Sequence, residues 1–304
     1  MLDAQAVRQA LTSPVPSIFT PFCRDGAIDY DAVRNYIDFS IAGGSRSIIL
    51  TYGDSHYGVL DDEEVGQLTR AVVEHTAGRA MVVAAARCWG TTKVGEFAKY
   101  VREIGGDMLM VRPFPWPGSY TVETMAEYYL AVADSIPLMI VTSVFGQYST
   151  KFGLDVIKRV MQATKAVVAV KDDLCGEFAR KLCLLVHDRW PVIAGGQKQN
   201  HLNALPYGCD GYLSVFSSIK PRVAHDYWNA VQAGNLADAK DVIARYDMPF
   251  FDFARTLTGG YDAGIHGALE LFGVAKRWRR KPNYSLNDEE MERLAEFFKE
   301  RSLL

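Results

Sequence analysis

The chain has 304 residues, 49% of them hydrophobic and 23% charged, with a formal net charge of -3 at pH 7. That balance belongs to a folded protein, excludes a disordered chain, and lacks the basic stripe that holds nucleic acid. No apolar run reaches the ~20 residues that span a bilayer, so neither nucleic acid nor membrane is an expected partner.

Short apolar strands alternate with amphipathic helices along the chain. Pro16–Thr20 is predicted as the first strand, and Tyr30–Ala42 as a helix closed by Gly43-Gly44. Ser47–Leu50 is the second strand. The helix Leu60–His75 follows, with Asp61-Asp62-Glu63-Glu64 favouring its positive N-terminal end. Ala80–Ala86 is a third strand before a helix at Thr92–Glu103 and Gly105-Gly106. Met108–Val111 is the fourth strand, with the helix Val122–Ala133, and Leu138–Val141 the fifth, with the helix Leu154–Gln162. Val167–Lys171 is the sixth strand and Glu177–Val186 its helix. Pro191–Ala194 is the seventh, followed by Gly195-Gly196, and Gly211–Ser214 the eighth. The remainder reads as helical: Val223–Ala233, Leu236–Tyr246, a stretch around Leu269, and Asp288–Phe298.

Eight evenly spaced strand–helix units are the count of an α/β (β/α)8 TIM barrel. Residues 1–222 are expected to form the barrel. Residues 223–304 are expected to form a C-terminal helical extension packed on it or on a partner subunit. A doubly wound open sheet is the alternative, but no Gly-x-Gly-x-x-Gly follows the first strand, so no dinucleotide or other cofactor is expected. Cys23, Cys88, Cys175, Cys183 and Cys209 are odd in number and show no C-x-x-C spacing. They are too sparse for a disulfide scaffold or a zinc site and point to a reducing compartment. The start Met1-Leu2-Asp3-Ala4-Gln5 does not read as a signal peptide, so a cytoplasmic location is expected. Arg277, Arg279, Arg280 and Lys281, interrupted by Trp278, make the one dense basic cluster, read as a loop or helix end.

In an α/β barrel, function sits on the residues just after each strand. The sixth strand is the most informative, because five apolar residues, Ala166-Val167-Val168-Ala169-Val170, run into Lys171, Asp172 and Asp173. Such a run is a strand covered on both faces. Desolvation at its end disfavours the charged form of a lysine, and a neutral amine attacks a carbonyl to form a Schiff base. A solvent-exposed lysine paired with Asp172 or Asp173 fits the same local pattern. Arg87 and Arg112, after the third and fourth strands, can clamp a substrate carboxylate. Each can equally pair with a structural acid such as Asp107 or Asp54.

Several motifs then combine. Thr20-Pro21-Phe22 precedes Asp25-Gly26 and Ile28-Asp29. Gly43-Gly44 and Leu60-Asp61-Asp62-Glu63-Glu64 follow, then Val168-Ala169-Val170-Lys171-Asp172. The last are Gly208-Cys209-Asp210-Gly211-Tyr212-Leu213-Ser214 and Ala233-Gly234-Asn235-Leu236-Ala237-Asp238-Ala239. In this order and spacing they resemble the dihydrodipicolinate synthase / N-acetylneuraminate lyase family, class I aldolases on a (β/α)8 barrel. The resemblance covers nearly the whole chain. It implies that Lys171 condenses with the keto group of pyruvate or a larger 2-oxo acid. The protonated imine then serves as an electron sink for making or breaking a carbon–carbon bond or for losing water. It also implies a homotetramer or dimer.

Three segments depart from the family pattern. The family's hydroxyl-rich segment after the second strand is replaced by Thr51-Tyr52-Gly53-Asp54-Ser55-His56-Tyr57. Ser55, with Gly53 beside it, keeps a donor for the substrate carboxylate, whereas Asp54 repels one unless paired or protonated. The family's proton-transferring tyrosine on the fifth strand falls on Val141, which transfers no proton. Gln147 is nearest to its distal-carboxylate arginine, and Phe114-Pro115-Trp116 lacks a tyrosine that reaches the neighbouring subunit. Acid/base work is therefore expected from the second loop, by Asp54, His56 or Tyr57. His56 suits it by its ordinary pKa, although a solvent-exposed loop histidine fits equally. Thr142 and Gly196, after the fifth and seventh strands, complete the expected substrate contacts with Arg87 and Arg112. Phe114, Trp116 and Trp89 predict an aromatic pocket suited to a larger 2-oxo acid. The resulting reading is a Schiff-base lyase, aldolase or dehydratase, distinct from the synthase itself. A catalytically silent member that binds a ligand or serves as an assembly subunit is the alternative. A metal-dependent hydrolase is disfavoured, because only His56 and His201 among six histidines lie near strand ends.

Overall fold

A computed structural model describes residues 4–116 and 118–304; Met1–Asp3, part of the N-terminal stretch read above, and Pro117 lie outside the described residues. The chain starts with a helix, α1 (Ala4–Leu11), that periodicity had not revealed, and then enters β1 (Pro14–Val15). There follow α2 (Tyr30–Ala42), β2 (Ser47–Ile49), α3 (Asp62–Thr76), β3 (Met81–Ala85), α4 (Thr91–Glu103) and β4 (Met108–Val111). Next come α5 (Val122–Ala133), β5 (Leu138–Val141), α6 (Thr150–Ala163), β6 (Val167–Asp172), α7 (Gly176–Val186) and β7 (Val192–Ala194). Then come α8 (Gln197–Ala204), β8 (Gly211–Leu213), α9 (Val215–Ile219) and α10 (Pro221–Gln232). The C-terminal part adds α11 (Leu236–Val242), α12 (Met248–Ala254), α13 (Gly260–Leu271) and α14 (Asp288–Lys299). Among the described residues no helix is long and apolar enough to cross a membrane.

The strands form one parallel sheet in the order β1-β8-β7-β6-β5-β4-β3-β2. A bridge between Ser17 and Ile49 joins its two edges. The expected (β/α)8 barrel is thus present. The first strand lies earlier than predicted, at Pro14–Val15, where it pairs with Tyr212 and Leu213 of β8. Pro14 and Pro16 each remove a ladder donor, so the segment looks unlike a strand until its neighbours are in place. β2, β4, β5 and β7 are buried at every residue, as strands covered on both faces must be. Each fully buried Val, Ile or Leu contributes roughly 1.5–3 kcal/mol.

Local caps set the helix entries that aim each loop. The Asp29 side chain accepts from the Ala32 N–H and opens α2. Asp61 and Glu64 form a reciprocal capping box at α3. Glu64 also receives a bidentate pair from Arg280, Nη1–Oε2 2.6 Å and Nη2–Oε1 2.7 Å, while Arg280 Nε donates to the Gly26 carbonyl at 2.7 Å. Within the basic cluster at 277–281, Arg280 thus clamps onto the barrel, while Arg277 pairs with Glu270 and Asp288 and Arg279 with Asp262 inside the C-terminal part. α10 packs against β1 and completes the outer ring of helices.

Two helical stretches differ from expectation. α8 has too few apolar residues to show a period, and it is held by tertiary contacts. Lys198 Nζ lies 2.6 Å from Asp247 Oδ1, with both side chains fully buried, and His201 Nδ1 lies 2.8 Å from Tyr227 Oη. The helix expected to end at Tyr246 runs on, through a wide turn at Ile243–Asp247, into α12. Pro249 has no N–H and its ring crowds the carbonyl four residues back, which an i→i+5 turn accommodates. Burial pushes Lys198 toward a lower pKa and Asp247 toward a higher one; among the described residues each ion's one opposite charge is the other. An Asp247→Ala variant is expected to lose roughly 3–5 kcal/mol in denaturant unfolding, because it strands a buried ammonium, whereas Lys198→Met with Asp247→Leu stays near the parent.

Candidate active site

A cavity of about 400 Å³ opens at the carboxyl ends of the strands, and residues at or just after the end of each strand from β2 to β8 line it. Lys171 is the last residue but one of β6, in register with Val141 of β5 and Ile193 of β7. It is only 7% exposed, yet it faces the cavity. Its Nζ forms an ion pair with Asp173. The pairing considered in the sequence is therefore real, but it lies in the cavity wall and not in solvent.

The turn after β6 is built to deliver that carboxylate. Asp172 points the other way, into the protein. It accepts from Thr142 Oγ1 at 2.7 Å, from the Cys175 N–H at 2.9 Å and from the Leu174 N–H at 3.3 Å. Burial raises the Asp172 pKa, and those three donors oppose the rise. Thr142 Oγ1 in turn accepts from the Asp173 N–H at 2.9 Å. Opposite stands Gly195, where any Cβ would sit 1.9 Å from Asp173 Oδ1, so only glycine leaves room for the carboxylate beside Lys171. Cys175, at φ 61° and ψ −167°, sits in a region that side chains avoid, a strain of about 1–3 kcal/mol held by the surrounding bonds.

Around this pair stand three further polar groups. Asp54 Oδ2 accepts from Ser17 Oγ at 2.6 Å. Desolvation raises the Asp54 pKa, against the pull of that hydrogen bond and of Lys171. Arg112 Nη1 donates to Ser143 Oγ at 3.1 Å and Nη2 to Cys88 Sγ at 3.2 Å, and its guanidinium lies 5.1 Å from the Tyr52 ring centre. Among the described residues Arg112 pairs with no carboxylate. Tyr261, from α13, closes another part of the wall. Met110, Val111, Val141 and Leu213 supply apolar lining.

A family model described as the dihydrodipicolinate synthetase family matches residues 10–301. The chain belongs to that family. With it the chain falls among the class I, Schiff-base aldolases and lyases, the class expected from Lys171. The 4-hydroxy-tetrahydrodipicolinate synthase of Nitrosomonas europaea is 29% identical over 237 residues, 77% of this chain and 80% of that protein. The enzyme of the same name from Dechloromonas aromatica is 25% identical over 236 residues, 76% and 79% of the two chains. A crystal structure of dihydrodipicolinate synthase from Oceanobacillus iheyensis superposes with a TM-score of 0.86 at 21% identity, covering 99% of this chain and 100% of that one. N-acetylneuraminate lyase from Fusobacterium nucleatum gives 0.81 at 18% identity, covering 94% and 97%. At those identities the two structures share the fold.

Within this family member the structure separates the expected site residues into two groups. Lys171, Asp54, Gly53 and Arg112 converge on the cavity. Ser55, Thr142, Gly196, Arg87 and His56 do not. Ser55 is fully buried, its Oγ donating to the Ile18 carbonyl at 2.7 Å and accepting from the Thr51 N–H at 3.0 Å, so it ties the second loop to the first strand. Thr142 holds the turn after β6, as above. Gly196 packs against Asn200, and its neighbour Gly195 lines the cavity instead. Arg87 pairs with Asp62 at 2.9 Å, and the Trp89 indole donates to the same oxygen at 3.0 Å, which turns both away from the cavity. Tyr57 is fully buried in the core, and Phe114 and Trp116 stack on each other in solvent, 51% and 62% exposed. The aromatic pocket expected from Phe114, Trp116 and Trp89 is thus replaced by one carrying Tyr52 and Tyr261. Asp173, Gly195 and Tyr261 were not singled out in the sequence as site residues. Gly259-Gly260 just before Tyr261 was the one local sign of an unusual turn.

His56 is the largest displacement. It adopts the left-handed conformation, φ 56°, and its Nε2 lies 2.8 Å from Nε2 of His266. One ring donates and the other accepts, so the pair cannot hold both extra protons. Burial, and then the charge of Arg279, push the His56 pKa down to about 4; burial, the neighbouring imidazole and Arg279 lower His266 as well. Above the unfolded value near 6.5 neither state binds the proton. As pH falls from about 6.5 to 4 only the unfolded chain takes it up, so stability is lost, by roughly 3 kcal/mol for His56 alone. A His56→Asn variant, whose side chain tolerates the left-handed region, is expected to weaken the dependence of melting temperature on pH across that window, leaving the share of His266, and to keep its turnover. A large loss of turnover at neutral pH would return His56 to the chemistry.

Proposed function

We propose that the protein is a Schiff-base lyase in which Lys171 condenses with the ketone of a 2-oxo acid, pyruvate or a larger homologue, while Arg112 holds a carboxylate of that substrate. The observation that carries this reading is the setting of Lys171: an amine at the end of a barrel strand, almost shut off from solvent, facing a cavity and touching a carboxylate. An ammonium has no lone pair, so it must lose a proton before it attacks. Asp173 is the group placed to take it. The protonated imine that follows draws electrons from the neighbouring carbon, and the apolar lining keeps that charge effective. Asp54, kept toward its acid form by desolvation, is the second acid/base group at the cavity.

The sheet register supports the larger homologue. Val111 pairs with Ile140, and Val141 with Lys171. Arg112, Val141 and Lys171 therefore follow one another around the rim, one strand apart, at ~4.8 Å per strand. A guanidinium and an amine rooted ~10 Å apart suit a substrate that carries a carboxylate beyond its ketone. The same reading makes the protein a cytoplasmic homo-oligomer, a dimer or tetramer. The free cysteines suit a reducing compartment, and the exposed Phe114–Trp116 stack offers apolar area that an identical subunit can cover.

Borohydride added with a panel of 2-oxo acids is expected to leave the reduced ligand's mass on the peptide containing Lys171, and on nothing in Lys171→Ala. No adduct with any member of the panel would falsify the reading; an adduct without turnover would mark a ligand-binding member of the family instead. Arg112→Ala is expected to raise KM for the reacting acid roughly 10- to 100-fold, the loss of a charged hydrogen bond, with a smaller change in kcat.

A further inference from the structure

Tyr261 stands outside the barrel, on the first turn of α13, yet it lines the same cavity as Lys171 and Asp54. Gly259 and Gly260, at φ +75° and +64°, make the turn that brings it there. A Cβ on Gly259 would meet Tyr284 Cβ at 2.9 Å, so this turn admits no side chain at that point. Phe251 of α12 packs on the Tyr261 ring with centroids 5.1 Å apart. Among the described residues the Tyr261 hydroxyl makes no hydrogen bond. The smaller hydroxyls of the cavity are engaged: Thr51 Oγ1 accepts from the Asp54 N–H at 2.9 Å, and Ser143 Oγ accepts from Arg112 at 3.1 Å. Tyr52 lies at the outer edge, 37% exposed, with its ring against Arg112. Tyr261 is half-buried, and a phenol in the cavity wall with no protein partner is free to donate to a ligand atom.

Imine formation requires a proton donor. The keto oxygen of the substrate departs only as water, and Val141, beside Lys171 on β5, carries no proton to give. We propose that Tyr261, carried to the barrel mouth by the C-terminal helices, is the proton-transfer residue for the imine chemistry at Lys171. The proposal rests on the Schiff-base reading above. Nζ adds to the ketone carbon and the C=O π pair moves onto oxygen. Tyr261 gives its proton to that oxygen and recovers one from nitrogen. It then protonates the resulting hydroxyl, which leaves as water while the nitrogen lone pair forms C=N. Of the three hydrogens of the starting ammonium, one stays on the iminium nitrogen and two leave in the water. The proton that Asp173 first accepted restores the phenol. Burial, and after it the charge of Asp54, raise the Tyr261 pKa, so the group enters the cycle as the acid.

The test is a rapid-mix experiment with a 2-oxo acid that labels the wild-type protein, quenched by borohydride and read by intact mass. Tyr261→Phe, which removes one oxygen, is expected to reach the wild-type extent of labelling but roughly 100-fold more slowly or worse. Asp54→Asn, with the phenol in place, is expected to slow the same step much less. An unchanged rate in Tyr261→Phe, or a loss confined to Asp54→Asn, overturns the proposal. Should the phenylalanine variant melt early, a fluorinated tyrosine at position 261 keeps the packing. The pH profile of labelling then moves with the phenol's acidity, and a profile that stays put overturns the relay. A wild-type protein that no 2-oxo acid labels fails earlier, at Lys171 itself, and the two failures are distinct.

Discussion

One ion pair organises the site. Lys171 and Asp173 lie two residues apart, so an extended strand would set them on the same face while carrying the carboxylate past the amine. The turn bends back because Asp172 is anchored inward by Thr142 and two backbone N–H groups. Gly195 across the way leaves the volume the Asp173 carboxylate occupies. Three neighbouring strands thus cooperate to place one proton acceptor against one amine. A nearly solvent-free position strengthens the attraction and gives the pair a reason to exchange a proton with a ligand rather than with water.

Charge is distributed around the cavity in a way that favours binding of an anion at one end only. Asp54 and Asp173 lie with Lys171, and Arg112 stands apart, paired with no carboxylate among the described residues and lying against Tyr52. The carboxylate-rich end repels a second anion, while the guanidinium attracts one. The loop after β2 shows the same division of labour on a smaller scale. Its Ser55 is spent on holding the loop to the first strand, which frees Asp54, through Ser17, to face the cavity.

The C-terminal helices do more than cover the barrel. Arg280 clamps them to Glu64 at the start of α3, and Lys198 with Asp247 ties them to α8, the helix after β7. The His56–His266 contact is a third tie, sealed from solvent and held neutral by its own burial. These ties fix where α13 lies, and the tyrosine at its start lines the cavity.

The alternation of apolar runs and amphipathic helices was enough to specify the barrel. Tyr30–Ala42, Met108–Val111, Val122–Ala133 and Leu138–Val141 lie where the pattern put them, because local periodicity and burial agree there. The strand-end lysine was legible for the same reason, since a buried strand that closes on an ammonium is a local anomaly. Tertiary structure alone decided what surrounds that lysine. Whether Arg87 or Arg112 faces the cavity depends on Asp62 lying within reach of the former, a contact 25 residues away in sequence. The C-terminal helices also decided that His56 is buried against His266 and that Tyr261 lines the cavity. Side-chain direction at a strand end is set by which neighbours satisfy it, and those neighbours come from distant segments that no local period encodes.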